Sequence, residues 1–224
     1  TLSSSSAASD VYKRQELETA GVLKGGRKFW ALARSGLSTS LKDKDEVNDY
    51  LLLATSCDGT LATVATPTTV RVVCNNTLQI AVDGMTHAVK VPHRSVFDPR
   101  AVKSQLGISV SQWNDFMYRM KALAERKIDR REAQQYFQSV LCGVEKPVDE
   151  PSKLPNYRAL NKVQRLYQGE GRGSHLITAQ DTAWGLLNAV TEYVDHEKRA
   201  RSTDTRLDSA WFGQGAQLKQ DALD

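Results

Sequence analysis

The spacing of hydrophobic positions changes near residue 95, from the period typical of strands to the period typical of helices. Before that point, β-branched and aromatic runs alternate with turn residues, and the connections are too short for parallel crossovers. After it, apolar residues recur every three or four positions. The pattern predicts an α+β protein in one domain, with an antiparallel β-meander over residues 16–95 packed with about five helices over residues 96–224.

Two glycine-containing turns predict hairpins in the front half. Gly25-Gly26 supplies the positive φ angles of a tight turn, and Asp58-Gly59 predicts a two-residue turn that pairs Tyr50–Ser56 with Thr60–Thr66. Proline lacks the N–H that a central strand uses, so Pro67 is expected to separate that strand from a further one over Thr69–Cys74.

Asparagine and threonine caps after this run predict a short helix over Thr77–Val82 that ends at Gly84.

The back half carries recognisable helix starts. Ser109 with Gln112 and Asp129 with Glu132 have the spacing of a capping box. Thr178 is expected to cap a long helix that runs to about Arg199. A proline-containing connector is predicted over Val144–Asn156. A last helical segment is predicted from Thr205 to the end.

Composition narrows the class of protein. The chain has 224 residues, a formal net charge of +4 and 40% hydrophobic residues, which excludes a disordered protein. No apolar run approaches the roughly 20 residues of a membrane span. The cysteines Cys57, Cys74 and Cys142 form no C-x-x-C pair, which favours a reducing cytoplasm over a disulfide framework.

The segment TLSSSSAASDVYKRQ (Thr1–Gln15) has neither hydrophobic periodicity nor the apolar core of a signal peptide. Codons that encode Ser5–Gln15 resemble a transposase-based sequencing adapter, and codons that encode Thr1–Ser4 fit the adjoining primer end and barcode. We therefore expect this segment to be a disordered assembly artefact, with the natural start lying upstream.

Basic residues provide the first candidate site. They cluster where two predicted helices meet, in the glycine loop Gly169–Ser174, and after the long helix. Such clusters suit a phosphate backbone. The net charge is modest, however, and acidic residues are interleaved, so solvated helix faces are the favoured interpretation. The nucleic-acid-binding candidates are Arg119, Lys121, Arg126, Lys127, Arg130, Arg131, Arg172, Lys198, Arg199 and Arg201. The glycine loop itself has no strand before it and only weakly suggests a phosphate site.

A helical wheel of the long helix separates an apolar stripe from a polar one. The polar stripe contains Asn188, Thr191, Glu192, Asp195 and His196. A solvated face is the favoured interpretation, and a polar contact within the fold is the second. The third is a catalytic or metal role, because Glu192 and His196 at i, i+4 could reach one metal ion. No residue is assigned a catalytic or metal-binding role, and no cofactor is expected.

Four strings of the chain are distinctive. They are ETAGVLKGGRKFWALAR (Glu18–Arg34), DYLLLATSCDGTLATVATPTTVRVVCNNTL (Asp49–Leu78), VPHR (Val91–Arg94) and TAWGLLNAVTEYVDH (Thr182–His196). Together they resemble the phage- and plasmid-like family built around domain of unknown function 932, over nearly all of residues 16–224. The resemblance implies a protein carried by bacteriophages, prophages or plasmids, but it implies no reaction. The family positions matched here, and hence candidate functional residues, are Arg71, Asn75, Asn76, Thr77, His93, Trp184, Asn188, Glu192 and His196.

Three functions fit these observations. The leading hypothesis is accessory nucleic-acid binding in a bacterial host, with single-stranded DNA as the favoured partner and with homo-oligomers left open. Its support at the level of the fold is an analogy with phage strand-annealing proteins. The alternatives are a metal-dependent phosphodiester enzyme that uses Glu192 and His196, and a protein-interaction module that acts on host machinery. No membrane partner is expected.

Overall fold

The computed structural model describes residues 16–42, 44–82, 85–86, 89–92, 110–144, 148 and 150–224. These residues divide into two compact units. The first takes the described parts of residues 16–39, 46–71 and 77–118, and the second takes those of 40–45, 72–76 and 119–224. The sequence predictions for Thr1–Gln15, Gly84, His93 and Ser109 lie outside the described residues.

An antiparallel sheet forms the first unit, which confirms the predicted meander. Its strands follow the order β1-β2-β3-β4-β5, and β8 also pairs with β4. The strands β6 and β7 form a separate two-stranded sheet. The strand bounds are β1 (Glu16–Leu23), β2 (Lys28–Ser40), β3 (Glu46–Ser56), β4 (Thr63–Arg71), β5 (Asn76–Gln79), β6 (Ala81–Val82), β7 (Met85–Thr86) and β8 (Val89–Val91).

The first hairpin lies where Gly25-Gly26 predicts it. Leu23 pairs with Lys28, and the turn between them has positive φ angles at Lys24, Gly25 and Gly26. Strand β1 is exposed along most of its length. In contrast, β3 and β4 lie inside the sheet and are buried along most of their length. Buried and exposed positions therefore do not alternate along these two strands.

The β3–β4 hairpin is confirmed, but its predicted two-residue turn is wrong. Ala54 pairs with Val64, and the loop between the strands spans residues 57–62. Gly59 has a φ of 74°, and Asp58 closes the loop because its carboxylate accepts hydrogen bonds from the N–H and the hydroxyl of Thr60 at 3.0 and 2.6 Å. The connection is therefore longer than the two-residue Asp-Gly turn, and the Asp58 side chain stabilises it.

Pro67 lies inside β4, so the predicted break into two strands is wrong. It pairs with Leu51 of β3, and its carbonyl accepts a hydrogen bond from the N–H of Ile80 on the opposite side, at 2.9 Å. The N and the C=O of one strand residue point to the same side, so the missing N–H faces away from β3 and removes no bond of that pairing.

The predicted helix over Thr77–Val82 is also wrong, because these residues form β5 and β6. Strand β5 lies beside β4, where the Thr69 hydroxyl donates to the carbonyl of Leu78 at 3.2 Å. Pairing with β4 therefore outweighs the local capping signals that favour a helix.

Six α-helices are described in the back half of the chain, which completes the α+β fold. Their bounds are α1 (Val110–Glu125), α2 (Arg130–Cys142), α3 (Tyr157–Arg165), α4 (Ala183–Glu192), α5 (Thr203–Phe212) and α6 (Gln214–Leu223). A 3₁₀ turn covers Pro151–Lys153, and π-helical turns follow α3 at Leu166–Glu170 and α4 at Tyr193–Glu197. Gly213 divides the last predicted segment into α5 and α6.

One predicted helix cap is correct and one is wrong. Asp129 accepts from the N–H groups of Arg131 and Glu132, and Glu132 accepts from the N–H of Asp129, so the capping box of α2 is confirmed. Helix α4, however, begins four residues later than predicted. Its cap is Thr182, whose hydroxyl accepts from the N–H of Gly185 at 3.0 Å.

None of the helices in the described part of the chain is long and apolar enough to cross a membrane.

Candidate functional site

Six cationic side chains lie where α1 ends and α2 begins, and all six are exposed. We call them the basic patch: Arg119, Lys121, Arg126, Lys127, Arg130 and Arg131. Arg126 approaches Glu132 at 3.9 Å, and Lys127 donates to the carbonyl of Gln180 at 3.1 Å. Lys121, Arg130 and Arg131 take no ion-pair partner among the described residues.

The backbone beneath the basic patch is held in place. Lys127 forms a β-bridge with Thr182. The N–H of Ile128 donates to the carbonyl of Asp181 at 2.9 Å, and the N–H of Ala183 donates to the carbonyl of Arg126 at 3.0 Å. The connector between α1 and α2 is therefore fixed to the segment that opens α4.

Arg130 and Arg131 are the first two residues of α2. The N-terminus of a helix carries a partial positive charge, so cations there are unfavourable for the helix itself. Asp129 and Glu132 offset part of this cost through the capping box. The two arginines still raise the local positive potential at this end of α2.

The other basic candidates lie elsewhere in the second unit. Arg172 is exposed in the glycine loop. Lys198, Arg199 and Arg201 follow the π-helical turn after α4; Lys198 is half-buried, and the two arginines are exposed.

The glycine loop does hold an anion, but the anion belongs to the protein. The N–H of Arg172 donates to both carboxylate oxygens of Glu192, at 3.1 and 3.0 Å. A Cβ at Gly171 would lie 2.7 Å from the carbonyl oxygen of Leu166 and 3.0 Å from a carboxylate oxygen of Glu192, so only glycine permits this approach. The loop therefore serves an internal contact.

The polar stripe of the long helix is buried, so its favoured interpretation as a solvated face is wrong. We call Asn188, Thr191, Glu192, Asp195 and His196 the α4 polar face. Thr191 is 3% exposed, Glu192 5% and Asp195 8%. The second interpretation, a polar contact within the fold, describes these side chains.

Partners for this helix come from distant parts of the chain. Asn76 donates its side-chain amide to the carbonyl of Asn188 at 3.3 Å and to the hydroxyl of Thr191 at 3.2 Å. Lys219 of α6 donates to Asp195 at 2.8 Å, and both side chains are buried.

Trp184 lies one turn before Asn188 in α4 and donates its indole N–H to Asp45 at 3.0 Å. The hydroxyl of Thr178 donates to the same carboxylate at 2.5 Å. Two short segments from the strand half, residues 40–45 and 72–76, thus contribute to the second unit.

Burial raises the pKa of Glu192, and the Arg172 N–H and the nearby charges of His196 and Arg172 oppose that rise. The Nε2 atom of His196 is buried without a hydrogen-bond partner among the described residues, as is the side-chain oxygen of Asn76. No group of three or more His, Cys, Asp or Glu side chains in the described ranges is arranged to hold a metal ion. Because Glu192 already accepts from Arg172, and Asp195 from Lys219, both are engaged inside the fold.

The family positions named from the sequence divide into two sets. Asn76, Trp184, Asn188 and Glu192 are buried in the second unit, with His196 half-buried on the same face. Arg71 and Thr77 are buried in the first unit, whereas Asn75 is an exposed turn residue of the second unit with a φ of 55°.

Sequence reasoning missed Asp45, Thr178 and Lys219 as members of these contacts. The one signal in the sequence was the dense apolar run Ala183–Val190, which is typical of a helix with few exposed positions. It also missed a groove of about 580 Å³ beside α2, which is lined by Ile128, Asp129, Arg130, Ala133, Gln134, Phe137, Pro151, Gln164, Tyr167, Gln168 and Asp181.

Neither a curated protein nor a solved structure matches the chain. One family model does match, described as "Domain of unknown function (DUF932)", over residues 7–211. The match begins inside the Thr1–Gln15 segment, so the adapter origin of that segment stays a prediction. Since the matched region takes in both the sheet and the helices up to α5, the chain belongs to the DUF932 family.

Proposed function

We propose that the chain is an accessory nucleic-acid-binding protein of a mobile element and acts on single strands during replication or recombination. The basic patch carries this proposal. Its six cations are exposed, and three of them have no acidic partner in the described ranges. Cations held in this way on a fixed backbone can displace the counterions of a phosphate chain.

The position of Arg130 and Arg131 supports a functional role. Their charges oppose the dipole of the helix that they open, so the arrangement costs local stability. Residues that lower local stability are expected at functional sites. A phosphate group bound there would interact with the side chains of both arginines, since Asp129 already accepts from the N–H groups of Arg131 and Glu132.

The setting of the proposal has separate support. The strings that resemble phage and plasmid proteins favour a mobile element, and sequencing the flanking genes on an intact contig tests that origin. The cysteines Cys57, Cys74 and Cys142 are free, which fits the reducing cytoplasm of a bacterial host.

The direct test is the affinity of the whole chain for single- and double-stranded DNA across a salt series. We expect the logarithm of the single-strand binding constant to fall with the logarithm of salt concentration by about 0.7 for each phosphate neutralised. Binding that is absent or insensitive to salt contradicts the proposal.

Charge reversal then identifies the surface involved. Lys121→Glu, Arg130→Glu and Arg131→Glu together should weaken binding and lower the salt slope by about 2. A matched control is Arg158→Glu, since Arg158 is also an exposed arginine at the second position of a helix. If the triple variant binds as well as wild type, the basic patch is only a solvated face. The group Arg172, Lys198, Arg199 and Arg201 then becomes the next candidate.

A further inference from the structure

The groove beside α2 joins the basic patch through Arg130, which belongs to both. Helix α2 supplies one wall with Arg130 and Gln134, while α3 and the π-helical turn after it supply the other with Gln164, Tyr167 and Gln168. The groove volume of about 580 Å³ lies within the range of small-molecule sites.

Two aromatic residues, Phe137 and Tyr167, line part of this groove, and Tyr167 is the one that is partly exposed. Phe137 is 1% exposed and packs edge-to-face on Tyr167, with ring centroids 5.7 Å apart and an interplanar angle of 72°. Ala133 and Ile128 extend the apolar surface. A flat, apolar ligand group would therefore meet apolar side chains on one side, with the Tyr167 ring as the accessible aromatic surface.

The walls carry polar groups that the fold does not use. Within the part of the chain that the structure describes, the side-chain amides of Gln134, Gln164 and Gln168 make no hydrogen bond. The hydroxyl of Tyr167 is buried and likewise has no partner there. A buried hydroxyl without a partner costs free energy, so it needs an explanation such as a bound ligand.

Tyr167 also keeps its proton. Burial, with a smaller contribution from the negative charge of Asp181, raises the pKa of Tyr167 to about 12. Any tyrosine hydroxyl is a donor at neutral pH, and this one shares the groove with amides that both donate and accept.

We propose that this groove binds one unstacked base of a single-stranded nucleic acid, with Arg130 on the adjoining phosphate. A base is flat and apolar on its faces and carries donors and acceptors on its edge. Glutamine amides recognise such edges, and aromatic side chains bind such faces. This inference rests on the proposed nucleic-acid binding and adds the ligand group and the pocket that receives it.

The test compares two oligomers of about 20 nucleotides, one of mixed sequence and one with the same backbone but no bases. Wild type should bind the base-bearing strand at least about tenfold more tightly. The double variant Gln134→Ala with Gln164→Ala should reduce this ratio towards one and leave affinity for the abasic strand unchanged. Gln135→Ala, the matched control, changes the neighbouring residue of α2 outside the groove and should keep the wild-type ratio.

Tyr167→Phe separates binding from folding. Removing a buried hydroxyl that has no partner should leave thermal stability unchanged or higher, while the preference for base-bearing DNA falls.

A preference for base-bearing DNA that survives in both groove variants overturns the proposal that this groove binds a base. Saturable binding of dAMP alone, as tight as that of the oligomer, would instead assign the groove to free nucleotides and also overturn it. If neither oligomer binds, the proposed function itself fails, which is a different result from equal binding of both.

Discussion

The basic patch and the α4 polar face lie in the same unit and are similarly rich in polar side chains, but their surroundings are opposite. The patch is exposed, and three of its cations have no acidic partner among the described residues. On the α4 polar face, Asn188, Thr191, Glu192 and Asp195 are buried and hydrogen-bonded. The comparison separates polar groups that maintain the fold from polar groups that are available to a ligand.

The largest expected effect comes from removing one member of the buried ion pair. Lys219→Ala leaves Asp195 buried without its cation and should lower the free energy of unfolding by about 3–5 kcal/mol. Urea unfolding measures the loss. The double variant Asp195→Leu with Lys219→Met is the control, and it should recover most of the stability because it buries no charge. A single variant as stable as wild type would mean that the pair is solvated.

Asp49 is a buried carboxylate that no cation pairs with among the described residues, and it should make the stability of the protein depend on pH. Asp49 in β3 accepts from the Ser35 hydroxyl, and its other oxygen has no hydrogen-bond partner in the described ranges. Burial raises its pKa from 3.8 to about 7. The folded state therefore binds the proton more tightly than the unfolded state, and stability decreases as the pH rises between these values.

The expected slope is about 1.4 kcal/mol for each pH unit within that interval. Urea unfolding at several pH values measures it. Asp49→Asn should flatten the profile between pH 4 and 7 and be the more stable protein at higher pH. A wild-type profile that rises with pH in this interval would contradict the assignment.

Asp45 tests the neutral contacts at the start of α4. Asp45→Ala removes the acceptor of Thr178 and Trp184, and each buried donor left without a partner costs about 1–3 kcal/mol. Near-ultraviolet circular dichroism should also change, since Trp184 loses its fixed orientation. Asp45→Asn keeps one acceptor oxygen and should lose less. Equal losses in the two variants would mean that hydrogen bonding is not the cause.

The smallest effects are expected on the exposed side of the comparison. Arg131→Glu should leave thermal stability unchanged or raise it by about 0.3–1 kcal/mol, because an acidic residue suits a helix N-terminus. Thermal unfolding of this variant beside Arg158→Glu measures the effect. A loss above about 1 kcal/mol would show that Arg131 stabilises the fold and would weaken the argument for a ligand surface.

Features that depend on neighbouring residues could be predicted from the sequence. The capping box of Asp129 and Glu132 and the turn at Gly25-Gly26 need only local backbone geometry. Pro67 shows where local reasoning fails. A proline can lie inside a sheet when its nitrogen faces away from the strand with which it pairs, as the nitrogen of Pro67 faces away from β3. Nothing in the residues around Pro67 indicates which side its nitrogen faces.

The candidate sites divide in the same way. Exposure of the basic patch follows from its charge, so its members could be named from the sequence. The burial of the α4 polar face could not be predicted, because the residues that satisfy Trp184, Asn188 and Asp195 lie in other elements. The groove beside α2 was missed for a related reason, since its walls come from two helices.

The contacts of Asp45 and Asn76 have a consequence for the order of folding. Asp45 and Trp184 are 139 residues apart in the chain, and Asn76 and Thr191 are 115 apart. Closing loops of this length costs chain entropy before any contact compensates for it, which slows folding. During synthesis, the strand half emerges before α4, so these two polar side chains have no contact with that helix at first. A nascent chain stalled before residue 182 should therefore lack the contacts that Asp45 and Asn76 make in the second unit.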